Sequence, residues 1–270
     1  MHIMPLTIVA TGEPEYRADE AVSWLLNHVD DWRERTERPR RDPGRFHPSD
    51  LGASDDEIAA RYAGTAAPET FDAQKLRIFD NGHGVHARWG RYLKKSGLSV
   101  RHTKSFWMPR LRMKGTCDEI IATPEWTHVI GDGGMRPDAG ELHIVELKSI
   151  NPFGFGALVA PHESHVDQLH CYMAGLRIYR GILLYESKGD QRVKLFDVPF
   201  DEARWLAIEA RLLRLRREGE RMAQERSERL GPDVIAASEA LIAEMERVDG
   251  ALPENDVRRA AAVAKAKLMV

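Results

Sequence analysis

A glutamate and a lysine two residues apart close an otherwise apolar stretch, Leu142-His143-Ile144-Val145-Glu146-Leu147-Lys148. Read as a strand, its alternation puts Leu142, Ile144, Glu146 and Lys148 on one face and His143, Val145 and Leu147 on the other. A carboxylate and an ammonium in such a place are unfavourable unless they pair or bind a metal. A second acid, Asp118, lies in the stretch Gly115-Thr116-Cys117-Asp118-Glu119-Ile120-Ile121, and His86 adds an imidazole from a predicted helix. Two carboxylates and an imidazole with open positions suit Mg²⁺ or Mn²⁺ better than a closed zinc site. Beside such an ion, Lys148 could hold or deprotonate an attacking water and stabilise charge developing on a phosphate. Gln168 and Tyr172, four residues apart on one helix face, could orient water or substrate.

These residues need elements to position them. Spacing predicts a short strand over Ile3–Ala10, a helix from Ala18 to about Arg35, and an exposed Arg- and Pro-rich loop over 33–48. Ser54 or Asp55 caps a short helix over 55–63. A longer helix over about 70–95 is bent or interrupted at Asn81-Gly82-His83-Gly84, with Val85, Trp89, Tyr92 and Leu93 as its buried stripe. On a continuous helix Gly82 and His86 share a face, and the glycine leaves room beside the imidazole for a metal or a backbone. Strands follow at 98–102, 104–113, 115–122 and 142–149, with a turn-rich segment over Gly131–Gly140 that disfavours regular structure. A loop over Asn151–Pro161, a helix over 162–177, strands at 181–186 and 192–198, and a long helix over 201–229 come next. That helix carries eight Arg against seven acids, and a stripe at Trp205, Ile208, Leu212 and Leu215 marks it as a packing helix with a solvated face. Two further helices, about 233–247 and 254–268, complete the reading.

The 270 residues suffice for a substantial core without disulfides. Cys117 and Cys171 are too few for a four-cysteine zinc or iron–sulfur site and read as buried thiols in a reducing compartment. No run of transmembrane length and no signal pattern occurs, so the expectation is a cytoplasmic protein with no membrane partner. The net charge of −3 argues against nucleic acid, but its distribution argues for it. From Asn81 to Cys117 there are nine Lys or Arg and no Asp or Glu. Arg88, Arg91, Lys95, Lys104, Arg110, Arg112 and Lys114, interleaved with Trp89, Tyr92, Phe106 and Trp107, form the footprint of a phosphate-backbone binder. A basic solvated face over a core that takes the aromatics is the alternative.

The set Gly82-xxx-His86, Gly115-Thr116-Cys117-Asp118-Glu119-Ile120, Glu146-Leu147-Lys148 and Gln168-xxx-Tyr172 resembles the PD-(D/E)XK nucleases, over roughly residues 75–200. More closely, it resembles the RecB-type exonuclease branch common in phages and in CRISPR-associated iron–sulfur nucleases. Glu-x-Lys alone is a weak signal; all four pieces in order are a strong one. The resemblance implies an α/β fold of the restriction-endonuclease type, a central mixed β-sheet flanked by helices, and hydrolysis of DNA phosphodiesters with Mg²⁺ or Mn²⁺. It implies His86, Asp118, Glu146 and the carbonyl of Leu147 as metal ligands. Lys148 becomes the catalytic lysine, and Gln168 and Tyr172 the helix motif. DNA is the implied partner, with a homo-oligomer or a recombination protein as a further one. The corresponding division is an N-terminal element over 1–70, a nuclease core over 71–200 and a C-terminal helical extension over 201–270.

The chain departs from that pattern in two places. Phe46-His47-Pro48-Ser49-Asp50-Leu51-Gly52 resembles the start of relatives with a cluster-binding cysteine, but Ala53, Ser54 and Asp55 follow, so no iron–sulfur cluster is expected. Pro137-Asp138 also matches the family's literal Pro-Asp and rivals Asp118 for the first carboxylate. Asp118 is preferred because it lies in a strand after the expected glycine. His162 and His165 read as helix capping or substrate contact, and His83 as decoration of the helix bend.

Overall fold

The computed structural model describes residues 23–35, 42–67, 70–122, 125–128, 135–138 and 141–230. The expected strand over 3–10 and the two helices after 233 lie outside the described residues.

Three helices come first: α1 (Ser23–Arg35), α2 (Asp55–Ala63) and α3 (Ala73–Lys95). Ser54 caps α2 by accepting the Glu57 amide, three acids occupy the first turn, and Gly64 ends it at φ +69°. Asp72 caps α3 through the Lys75 amide, and Lys94 and Lys95 meet the negative end of its dipole. Although a bend was expected at residues 81–84, α3 runs unbroken for 23 residues. Of its glycines only Gly90 is required by close approach, and Gly84 has open space around it. A Cβ on Gly82 would lie 3.4 Å from Ser149 Oγ, and one on Gly90 would lie 2.9 Å from the His102 ring.

The sheet has five strands in the order β1 (Ser99–Met108), β2 (Met113–Ala122), β5 (Leu142–Ile150), β6 (Arg180–Ser187) and β7 (Val193–Pro199). All neighbours are antiparallel except β5 and β6. That parallel pair needs a crossover, supplied by α4 (Pro152–Ala157) and α5 (Glu163–Leu176). The expected strands at 98–102 and 104–113 are thus one strand, a 3₁₀ turn at Pro109–Leu111 and the start of the next. Residues 151–161, expected as loop, contain α4. Within the turn-rich segment β4 (Met135–Asp138) pairs with β3 (Glu125–His128) as a separate two-stranded sheet. Asp138 is therefore in a strand rather than a turn, opposite Glu125 and outside the main sheet.

Apolar residues cover both faces of the main sheet. The larger cluster joins Ile144, Leu183 and Tyr185 to Leu169 and Met173 of α5, to Ile58 of α2, and to Ile208, Leu212 and Leu215 of α6 (Glu202–Leu230). The smaller one joins Val145, Leu147, Ile121 and Leu184 to Leu93 and Trp89 of α3. Ile144 and Val145 fall in opposite clusters, as strict alternation along β5 requires. Tyr92, expected in the α3 stripe, is exposed instead. Among the described residues no helix is long and apolar enough to cross a membrane.

Candidate active site

Four elements deliver the site. His86 comes from α3, Asp118 from β2, Glu146 and Lys148 from β5, and Gln168 and Tyr172 from α5. Two details of the strands aim the acids. The β2–β5 ladder stops at the pair Glu119–Val145, one step before Asp118 would face Glu146. Cys117 and Ile120, three residues apart, both join the larger core, so alternation breaks at Asp118-Glu119. Opposite the break, Thr103 of β1 holds a left-handed φ of +47°.

Where the ladder opens, Asp118 replaces it. Its Oδ2 accepts the Leu147 amide at 2.8 Å, and its Oδ1 lies 3.1 Å from His86 Nδ1. The bond uses Nδ1, so any ligating role for this ring falls to Nε2. On the other side of β5, Lys148 Nζ donates to Glu146 Oε1 and to Gln168 Oε1, both at 2.8 Å. Gln168 Nε2 donates to Glu146 Oε1 at 2.8 Å and to the Tyr172 hydroxyl at 2.7 Å. The Glu-x-Lys and Gln-xxx-Tyr pairs, remote in sequence, form one network.

Close docking of α5 makes this possible. A Cβ on Gly175 would lie 2.4 Å from the Phe106 ring, and one on Gly181 of β6 would lie 2.6 Å from the Leu169 side chain. Tyr172 is 4% exposed, with its ring edge-on to Phe106 at 6.0 Å. Its buried hydroxyl accepts from Gln168 and so fixes that side chain.

Glu146 is only 3% exposed, and its Oε2 is buried with no hydrogen-bond partner. Burial, followed by the Asp118 charge, pushes its pKa up to about 7 against the pull of Lys148. The hydrogen bond to Asp118 raises His86 against its desolvation. An orphaned carboxylate oxygen beside a second acid is the environment a hard cation relieves, and two carboxylates and an imidazole fit Mg²⁺ or Mn²⁺ in kind. Among the described residues no three His, Cys, Asp or Glu side chains are already gathered around one point. Asp118 is engaged by His86 and the Leu147 amide and Glu146 by Lys148 and Gln168, so an ion must draw the acceptors together.

The basic segment does not form one free surface. Arg88 is bound to the buried Glu186, so it ties α3 to β6. Trp89 Nε1 donates to the same carboxylate at 2.6 Å. Arg110 pairs with Glu209 at 2.8 Å, and Arg112 donates to the Gly44 carbonyl at 2.7 Å. Arg91, Lys95, Lys104 and Lys114 are exposed and form no ion pair among the described residues. Of the aromatics, Phe106 is buried, whereas Tyr92 and Trp107 are exposed.

Three groups near the site had little or no sequence signal. His165 Nδ1 lies 2.7 Å from the Tyr185 hydroxyl, and Tyr185 pairs with Lys148 across the β5–β6 ladder. Burial, then Lys148 and His162, holds His165 neutral with a pKa down to about 3. His162 occupies the N-cap of α5 but makes no side-chain cap bond, contrary to a capping role. Behind Asp118, the buried Glu119 meets His102 Nδ1 at 2.6 Å and is bonded to Ser99 Oγ. Only the three-dimensional register brings these groups together. His83 is 76% exposed, as expected for a surface residue.

No family model and no curated protein matches the chain. Among solved structures it is similar to an alkaline exonuclease, LHK-Exo, from Laribacter hongkongensis, with TM-score 0.46 and 13% identity over 74% of this chain and 95% of that one. The same protein in complex with dAMP gives TM-score 0.49 and 14% identity over 74% and 95%. A phage-related exonuclease from Haemophilus somnus 129PT gives TM-score 0.41 and 13% identity over 68% and 96%.

Proposed function

We propose that this chain is a metal-dependent DNA nuclease that hydrolyses phosphodiester bonds, acting as an exonuclease in recombination, repair or phage DNA processing. The observation that carries this reading is Glu146: a buried carboxylate with one oxygen held by Lys148 and Gln168 and the other unpartnered. His86, Asp118, Glu146 and the carbonyl of Leu147 would hold Mg²⁺ or Mn²⁺. Such an ion supplies Lewis-acid polarisation of a phosphate oxygen and activation of a water.

The chain's own residues do the rest. Lys148, held by Glu146 and Gln168, would place its positive charge where charge develops on the phosphate. Gln168 fixes the lysine and the carboxylate relative to one another, and Tyr172 fixes Gln168. Arg91, Lys95, Lys104 and Lys114 supply the exposed positive charge for the DNA backbone, so binding weakens steeply with salt.

The test is cleavage of end-labelled linear DNA and covalently closed circles with Mg²⁺, Mn²⁺ or EDTA, with Glu146→Ala as the control. Loss of linear DNA alone, abolished by EDTA and in the variant, is the expected result. Cutting of circles would make the chain an endonuclease. Binding without cleavage under any metal would leave a DNA-binding or assembly protein on a nuclease-like fold.

A further inference from the structure

Helix α4 begins two residues after β5 ends, so it lies close in sequence to Glu146 and Lys148. It is firmly held for a helix of six residues. Asn151 Oδ1 caps it through the Gly154 amide at 2.8 Å. Lys194 Nζ donates to the Phe155 and Leu158 carbonyls, each at 2.7 Å, and lies 4.8 Å from the centre of the buried Phe155 ring. The β6–β7 turn packs against Pro152 so closely that a Cβ on Gly189 would lie 2.6 Å from it.

All this construction leaves two apolar side chains in water. Phe153 is 90% exposed and Val159 is 91% exposed, more than any other large hydrophobic among the described residues, of which the next is Leu195 at 64%. Phe155, two residues on, is 3% exposed, so α4 has one aromatic turned inward and one turned out. The adjoining turn and strand carry Lys188, Arg192 and Lys194 against two acids, Asp190, which pairs with Arg192, and Asp197, which pairs with Arg180. An exposed ring on a fixed support beside net positive charge matches the stacking platforms that bind single-stranded nucleic acid. A protein partner fits less well. A stable interface needs about 800 Å² on each side, and here two lone side chains flank Gly156, around which there is open space.

We propose that Phe153, on the support of α4 and beside the cations of the β6–β7 turn, is a stacking platform for bases of the single strand that leads into the Glu146–Lys148 site. The proposal rests on the DNA-nuclease reading. The platform is tolerant of sequence, because every base offers a ring face.

The test uses the full chain in EDTA and a single-stranded oligonucleotide with 2-aminopurine at successive positions. Stacking on Phe153 quenches the probe at one of them. Phe153→Ala should weaken binding about tenfold and restore that fluorescence, whereas Phe153→Trp should retain both. Because Phe153 contributes little to the core, the variants should melt with the parent, and equal melting temperatures establish that they fold. Unchanged affinity and quenching in Phe153→Ala overturn the platform alone. So does a variant that binds DNA normally but sediments at a lower mass than the parent, which would make the face a contact between copies. If the parent binds no DNA at all, the nuclease reading falls with the platform.

Discussion

The Leu147 amide donates to Asp118 Oδ2 at 2.8 Å where the β2–β5 ladder ends. One carboxylate thus completes the backbone pairing of the central strand and faces the candidate site. Asp118→Ala should leave that amide without its partner and destabilise the chain by about 1–3 kcal/mol, besides removing cleavage. Asp118→Asn can keep the bond, so it should lose cleavage with most stability intact. Denaturant unfolding of both variants beside a cleavage assay separates the two roles. Equal stability of the two would show that the bond contributes nothing.

Lys148 should matter to chemistry far more than to binding. Its ammonium is held between Glu146 and Gln168 and is half-shielded from solvent. Lys148→Ala should reduce single-turnover cleavage by about 10²–10³-fold, with DNA affinity in EDTA within about twofold. A parallel loss of affinity would make the lysine a structural or backbone-binding group.

The pH dependence has a definite sign. The folded-state value of Glu146, about 7, lies above its ordinary 4.5, so its share of stability falls as pH rises through that range. His86 is also raised, so its contribution is full below 6.5 and is lost as pH climbs through its folded value. His165, held neutral, contributes with the opposite sign, so the sign of Glu146 is read by comparison: in EDTA, Glu146→Gln should lose less stability between pH 6 and pH 8 than the parent does. Mn²⁺ competes with protons for these groups, so its stabilising shift should be larger near pH 8 than near pH 6. Calorimetry of parent and variant at both pH values is the check, and an identical change with pH in the two contradicts the scheme.

Tyr172 and Gln168 should respond unequally. Tyr172→Phe keeps the buried ring and removes one hydrogen bond, at about 1 kcal/mol. Its cleavage rate should fall modestly. Gln168→Ala severs contacts to Glu146, Lys148 and Tyr172 together, so its rate loss should be the larger. Single-turnover rates on one DNA substrate decide the order.

The sequence carried the strand bearing Glu146 and Lys148, the Ser54 cap, α5 and the packing stripe of α6, because each depends on local spacing that survives folding. It misjudged α3 at Gly82 and Gly84, since two glycines lower helix propensity locally but the packed helix on either side carries the turn through them. It gave no sign that Arg88 pairs with the buried Glu186, because that partner lies 98 residues away. The contact between His165 and Tyr185 depends on strand pairing, so no window of sequence displays it. The preference for Asp118 over Asp138 rests on its strand and its glycine, and Asp138 lies in a strand too, paired with β3 outside the main sheet.

The narrow gap between α5 and the sheet has a meaning beyond packing. Gly175 and Gly181 set that gap by lacking a methyl group, and the gap sets how far Gln168 reaches toward Glu146. They act as a gauge block for the site, although neither is a polar member of its network. An alanine at either position thickens the joint, and Gln168 then hangs back from Glu146 even though every chemical group remains.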